Sequence, residues 1–255
     1  MVSPVTKIYG SMVIKNEADR YLEAVLSHMC PFFDGVFVYD DDSDDDSLEV
    51  VSQFDAVAVS RPPLIPSFLE HEGDFRFAAW RAFEREMTPE EGSWVLSFDA
   101  DEFLVLQEQD FSDVRPGLEQ AISIAESKST VGVVLPFPEI FDVQDGVPMM
   151  RVDGLWPTIR GPRLFKYKEE ASWNNKEMGS GSEPTYVARG KTSQSNCGLH
   201  MLHFGYAMKE DHAVKHARYS ELFDHGHNNN HIQSIIQEST LRACTGPIPK
   251  WSLHA

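Results

Sequence analysis

The chain has 255 residues, 42% hydrophobic and 24% charged, which is enough apolar material for one large α/β domain or two small ones and is not the composition of a disordered segment. With 22 Lys and Arg against 40 Asp and Glu, the net charge of −18 argues against a nucleic-acid backbone or an anionic membrane surface as the main partner, since both repel such a field. A focused basic pocket for a nucleotide diphosphate is still compatible with it.

In chain order, SMVI (Ser11 to Ile14) reads as a strand. It leads into KNEADRYLEAVLSHM, where Ala18, Leu22, Val25, Leu26 and Met29 recur at helical spacing and Asn16 suits the cap. GVFVYD (Gly35 to Asp40) is the next strand, ending in the acidic run DDDSDDDS, after which LEVVSQF can wind as a helix. AVAVS (Ala56 to Ser60) is a third strand, stopped by Arg61-Pro62-Pro63. FRFAAWRAFEREM (Phe75 to Met87) has helical character, and WVLSF (Trp94 to Phe98) is a fourth strand. This alternation predicts βα units and a mainly parallel sheet. LEQAISIAES (Leu118 to Ser127) reads as a helix and VGVVLPF (Val131 to Phe137) as a strand. Trp156 to Lys191, rich in Gly, Pro, Ser and Asn, reads as loops around a site, and EDHAVKHARYSELFDH (Glu210 to His225) as a late helix.

The three cysteines, Cys30, Cys197 and Cys244, are odd in number and widely spaced, so neither a disulfide framework nor a CxxC zinc site is indicated. MVSPVTKIYGSMVIKNEADRY lacks a basic segment followed by an uninterrupted apolar one, and no run of about 18 apolar residues occurs. The expectation is a cytoplasmic protein with no transmembrane segment.

In an open parallel sheet, ligands sit beyond the carboxyl ends of the strands, and two strands here end in carboxylates, at YDDDSDDDS and FDADEF. Crowded carboxylates resist ionisation unless a cation or hydrogen-bond donors answer them. An oxygen-rich crevice of that kind suits Mg²⁺ or Mn²⁺, which in turn hold phosphate oxygens.

Four pieces of the chain, MVIKNEADRYLEAVLSH, VFVYDDDSDDDSLEVV, WVLSFDADEFL and LHFGYAMKEDHAVKHARY, stand in an order that resembles a GT-A glycosyltransferase of the family 2 kind, over Ser11 to Tyr219. The resemblance implies an α/β fold with a mixed, mostly parallel central sheet flanked by helices. One domain is expected over 1–255, with residues up to about 105 binding the nucleotide and the remainder facing the acceptor. By the same resemblance Asp40 or Asp41, with Asn16 nearby, would bind the base or ribose. Asp99 and Asp101 would form the Asp-x-Asp pair, with Asp101 the direct metal ligand. His203 would complete the metal or diphosphate site. His200, three residues earlier in an extended segment, would point to the opposite face. Asp42 stands where the family's loop has Gly, which bears on that loop's conformation.

Lys215 and Arg218 in KHARY share a helical face and are placed to reach phosphates; Arg160 and Arg163 are alternative phosphate or acceptor contacts. Trp156 and Trp173 are candidates to stack on a sugar, against the commoner role of packing. An inverting transferase needs a carboxylate base opposite the leaving group, and the resemblance points to Glu177 or Glu183 in NNKEMGSGSEP, with Glu139 a further candidate. The donor expected is a nucleoside diphosphate sugar, UDP before GDP, and the acceptor hydroxyl belongs to a glycan, protein or small molecule rather than to nucleic acid.

Three rivals compete with this reading. A phosphohydrolase of the haloacid dehalogenase type also ends a strand in Asp-x-Asp, but Glu102 stands where that motif has Thr or Val, and the motif normally opens its domain. A calcium-binding module on Asp40, Asp42 and Asp44 has Asp45 where an EF-hand loop needs Gly and Val51 where it needs Glu. A catalytically inactive GT-A binding protein is disfavoured by the intact Asp-x-Asp pair and His203.

Overall fold

The computed structural model describes residues 6–106, 113–153, 161–177, 179, 181–195, 197–222 and 229–244. Trp156 and Arg160 lie outside these residues, as does 223–225 at the end of the predicted late helix.

The first strands form on the apolar runs that predict them: β1 (Ile8–Ile14), which starts before the expected Ser11, β2 (Gly35–Asp40), β3 (Ala56–Ser60) and β4 (Trp94–Ser97). Then follow β5 (Glu102–Leu106), β6 (Gly132–Val134), β7 (Ile140–Gln144), β8 (Val147–Arg151), β9 (Leu164–Lys166), β10 (Thr192–Gln194), β11 (Leu199–His203) and β12 (Leu241–Ala243). The helices are α1 (Leu22–Met29), α2 (Ser47–Val51), α3 (Glu72–Met87), α4 (Arg115–Ser127), α5 (Thr185–Ala188), α6 (Lys209–Leu222) and α7 (Asn229–Ser234).

Among the described residues the main sheet has seven strands in the order β10-β6-β9-β4-β1-β2-β3. β4, β1, β2 and β3 run parallel, whereas β9 is antiparallel to both of its neighbours, β4 and β6. This is the mixed, mostly parallel arrangement expected of a GT-A fold. Successive residues of each strand feed opposite cores. Ile8, Met12, Val36, Val38, Trp94 and Leu96 pack with α1 and α4, while Tyr9, Phe37, Tyr39 and Val95 pack with Phe75, Trp80 and Phe83 of α3. Burial on both faces is why these strands read as nearly continuous apolar runs.

Several expectations need correction. The helix predicted from Lys15 begins only at Leu22, and Asn16 does not cap it. Asn16 adopts φ +53°, its N–H donates to Ser43 Oγ at 2.9 Å, and the next N–H groups, of Glu17 and Ala18, go to Ser47 Oγ and Asp45 Oδ2. Those donors are committed to the acidic loop instead of to a helix. The segment expected to be all loop contains β9, a strand inside the main sheet, and the short α5. The strand expected at Val131 to Phe137 is confined to β6, and EFLVL forms β5 of a second, two-stranded sheet with β11. β7 and β8 form a hairpin whose Asp145-Gly146 turn has φ of +50° and +76°, and β12 adds to β8. None of the described helices is long and apolar enough to cross a membrane.

Candidate active site

Because β2 and β4 flank β1 and all three are parallel, Asp40 at the end of β2 and the turn after β4 reach the same sheet edge. Strand spacing separates β2 from β4 by about 10 Å across β1. The acidic loop after β2 is largely hydrogen-bonded to protein. Asp40 is buried and accepts the Ser43 N–H at 3.2 Å on either oxygen. The Asp41 carboxylate is taken by Arg61 Nε at 2.5 Å and by the Phe68 N–H at 3.0 Å. Asn16 and Asp44 exchange two hydrogen bonds, of 2.6 and 3.0 Å. Asp42 has φ +60°, the left-handed backbone that Gly enters without strain, so the departure at this position keeps the turn and changes the side chain. Asp40, Asp42 and Asp44 have separate contacts and do not assemble the calcium loop.

On the other side, β4 passes through a tight turn into β5. The Asp99 N–H donates to Glu102 Oε2 at 3.0 Å and the Glu102 N–H to Asp99 O at 3.1 Å. β5 pairs antiparallel with β11 in a register that sets His203 opposite Glu102, and the Phe204 N–H donates to Asp101 O at 2.8 Å. Distant parts of the chain are thereby joined, with His203 Nε2 lying 3.5 Å from Asp101 Oδ2. His203 Nδ1 is hydrogen-bonded to the buried carboxylate of Glu139. Lys215, on α6, places Nζ 3.8 Å from the same Asp101 oxygen and 4.5 Å from the centre of the Tyr206 ring. His200, three residues from His203 on β11, instead contacts Gly198 O through Nδ1 at 2.9 Å.

Each carboxylate of Asp99-Ala100-Asp101-Glu102 is thus answered by a cation. Glu102 is fully buried, and burial raises its pKa, opposed by Arg163, whose Nη2 donates to Oε1 at 2.5 Å. Arg163 also lies 3.6 Å from Asp99 Oδ2 and donates through Nη1 to Ser182 Oγ at 2.7 Å. It is a buried link between the acidic turn and Ser182. Burial alone would raise the Asp101 carboxyl, but His203, Lys215 and Arg20 hold it well below the usual carboxylate range. Burial would lower the His203 imidazole, yet Glu139 and Asp101 raise it to about 10.

Glu17 belongs to this group and was not singled out from the sequence. Burial, followed by the Asp101 charge, pushes its carboxyl up to about 7. Arg20 Nη2 pairs with Asp211 Oδ2 at 2.9 Å and so fastens the first turn of α6 to the segment before α1. Gly205 was missed as well. A Cβ there would lie 2.6 Å from His203 Nε2 and 2.7 Å from Asp101 Oδ2, and closer still to Lys215 Nζ, so three charged groups converge on a point that only glycine leaves open.

The remaining expected residues are dispersed. Glu177 is exposed, and its carbonyl accepts the Glu72 N–H at 2.8 Å. Glu183 is partly buried, which raises its pKa, and it lies next in sequence to Ser182, the Arg163 partner. Glu139 is buried and hydrogen-bonded to His203 Nδ1. Trp173 packs on Trp80 at 5.4 Å and donates to Gly181 O at 3.1 Å, so it anchors its loop. Asp99 lines a small cleft with Ser11, Arg76, Ser97, Trp173 and Ser182. The Arg218 side chain lies outside the described residues.

No group of three or more His, Cys, Asp or Glu side chains poised around a metal occurs among the described residues. Asp101 and His203 nonetheless fit Mn²⁺ or Mg²⁺. They supply an ionised oxygen ligand and a nitrogen whose orientation is fixed by a carboxylate on the far ring atom, the arrangement found around metal-bound histidines. The Gly205 opening lies between them. A set this small suits a cation that keeps water and substrate phosphates among its ligands and does not need a complete protein cage.

No family model matches the chain, and no curated protein matches its sequence. Among solved structures it is similar to S. aureus TarS 1-349 in complex with UDP, with 14% identity and a TM-score of 0.49 over 91% of this chain and 70% of that one. It is similar also to glucosyl-3-phosphoglycerate synthase from Mycobacterium tuberculosis in complex with phosphoglyceric acid, with 18% identity and a TM-score of 0.36. That match covers 53% of this chain and 44% of the other, so the chain spans less than half of that enzyme. A 4-diphosphocytidyl-2C-methyl-D-erythritol synthase matches at 18% identity and a TM-score of 0.39, over 63% of this chain and 75% of that one.

Proposed function

We propose that this protein is a divalent-metal-dependent glycosyltransferase that moves a sugar, with inversion, from a nucleoside diphosphate donor, UDP before GDP, to the hydroxyl of a glycan, protein or small molecule. The observation that carries this reading is the convergence of Asp101, His203 and Lys215 on the Gly205 opening, at the sheet edge that also holds Asp40 and Asp99. A diphosphate leaving group needs positive charge at the departing oxygen. Asp101, His203 and Asp99 would hold the cation, which supplies Lewis-acid neutralisation of the leaving diphosphate when bound. Lys215 would reach the phosphates, and Asp40 the nucleoside. Asp41 is less suited, because Arg61 and the Phe68 N–H already satisfy its carboxylate.

For the proton of the acceptor hydroxyl, Glu183 is the stronger candidate. Burial raises its pKa, and Arg163 connects its neighbour Ser182 to Asp99. Glu177 lies against the start of α3 through its backbone. The test is calorimetric titration of the protein with UDP and with GDP, each with and without Mn²⁺, repeated on Asp101→Ala. Metal-dependent binding of one nucleotide, abolished in the variant, supports the proposal; binding of neither refutes it.

A further inference from the structure

Lys215 sits where an entering cation would need room. Its side chain is 16% exposed, and its ion pair with Asp101 spans 3.8 Å, a loose contact held on a flexible four-carbon stem. The Tyr206 ring supports the ammonium from one side, and the Arg20–Asp211 pair fixes the helix that carries it. The side chain can therefore swing while its backbone stays. Nζ, His203 Nε2 and Asp101 Oδ2 all crowd the same vacant Cβ position of Gly205. A bare divalent cation approaching Asp101 meets an ammonium at close range in a poorly hydrated site, where like-charge repulsion is several times stronger than in water. A diphosphate arriving with the cation reverses that sign, because its oxygens accept the ammonium.

We infer that Lys215 is the displaceable counter-ion of Asp101, beside the fixed His203, so that the cation enters only together with a nucleoside diphosphate, which takes the Lys215 ammonium from Asp101 onto its phosphate oxygens. The inference rests on the transferase reading above and adds an order of binding to it: no stable metal-only state precedes the donor.

The experiment measures Mn²⁺ binding by electron paramagnetic resonance of the free ion, without nucleotide and with saturating UDP, on the wild type, Lys215→Met and Lys215→Arg, with folding of each checked by circular dichroism. The wild type is expected to bind Mn²⁺ weakly alone and tightly with UDP. Lys215→Met is expected to bind Mn²⁺ alone about tenfold more tightly and to lose about tenfold in UDP-dependent binding. Lys215→Arg, which keeps the charge on a larger planar group, is expected to leave Mn²⁺ binding without nucleotide weak while lowering UDP-dependent binding, so that a gain of metal-only binding reads loss of charge and not loss of the lysine. Equal or weaker Mn²⁺ binding by Lys215→Met without nucleotide, with UDP-dependent binding intact in the wild type, overturns the counter-ion role alone. Absence of UDP-dependent Mn²⁺ binding in the wild type overturns the transferase reading and this inference with it.

Discussion

His203 and Glu139 form a buried pair in which the carboxylate takes Nδ1 and leaves Nε2 directed at Asp101 Oδ2, 3.5 Å away. A pairing of this kind fixes both the tautomer and the ring orientation of a metal-binding histidine. Glu139→Gln is expected to weaken UDP-dependent Mn²⁺ binding by about 10- to 100-fold. Titration of both proteins with Mn²⁺ at saturating UDP checks it.

The pH dependence follows from the same pair. His203 has its imidazole raised to about 10 against an ordinary value of 6.5, so its contribution to the stability of the metal-free protein is complete below about pH 6.5 and is lost as pH rises through about 10. A bound cation must displace the proton, so apparent Mn²⁺ affinity rises with pH over the same window. Urea unfolding and metal titration at pH 6, 8 and 9.5 test both slopes. His203→Gln is expected to flatten them.

Gly205→Ala should preserve the backbone, because φ at this position is not in the left-handed region, but its Cβ intrudes among His203, Asp101 and Lys215. A cost of about 1–3 kcal/mol in stability is expected from overpacking, together with at least a tenfold loss of nucleotide-dependent metal binding. Thermal unfolding and calorimetry separate the two effects.

Arg163→Met removes the hydrogen-bond donor and cation that oppose the burial of Glu102 and is expected to destabilise the protein by about 1–3 kcal/mol. Adding Glu102→Met removes the unsatisfied carboxyl and is expected to recover most of the loss. Urea unfolding of the wild type and the two variants checks this; similar stability in all three would show that the pair is dispensable.

Asp42→Gly relieves the left-handed residue and sacrifices only a 3.9 Å contact with Arg61 by a largely exposed side chain, so stability is expected to rise by up to about 1 kcal/mol. Asp42→Val, β-branched at the same φ, is expected to cost at least about 1 kcal/mol. Chemical denaturation of the two variants measures the difference.

The early strands were legible because Gly35 to Asp40 and Ala56 to Ser60 are apolar runs ended by polar or Pro-containing segments, and their boundaries match. α3 begins three residues earlier than the apolar pattern does, at Glu72, because His71 caps it through the Asp74 N–H. β9 and β10, three residues each and set among Gly and Pro, carry too few side chains for a period to appear, and they exist through pairing with β4 and β6. The site divides in the same way. Asp101 and His203 stood out through residue type and position. The roles of Glu139 and Arg163 did not, because their partners are remote in sequence: a parallel bridge outside the main strands brings Glu139 to His203, and the placement of β9 brings Arg163 to Glu102. Gly205 gave no signal, since nothing local distinguishes a glycine that clears space from one that turns the chain.

The two-stranded β5–β11 sheet also bears on how the protein is made. Contacts between positions so far apart form late and slowly, after the chain has closed a long loop. On a ribosome, Asp101 emerges well before His203 and Lys215, so the acidic turn must wait without the cations that later answer it. During that interval Asp99, Asp101 and Glu102 are mutually repelling carboxylates at the end of an apolar strand that still lacks its β9 partner. This nascent intermediate would gain most from Mn²⁺ or from high salt, and refolding rates measured across ionic strength would register it.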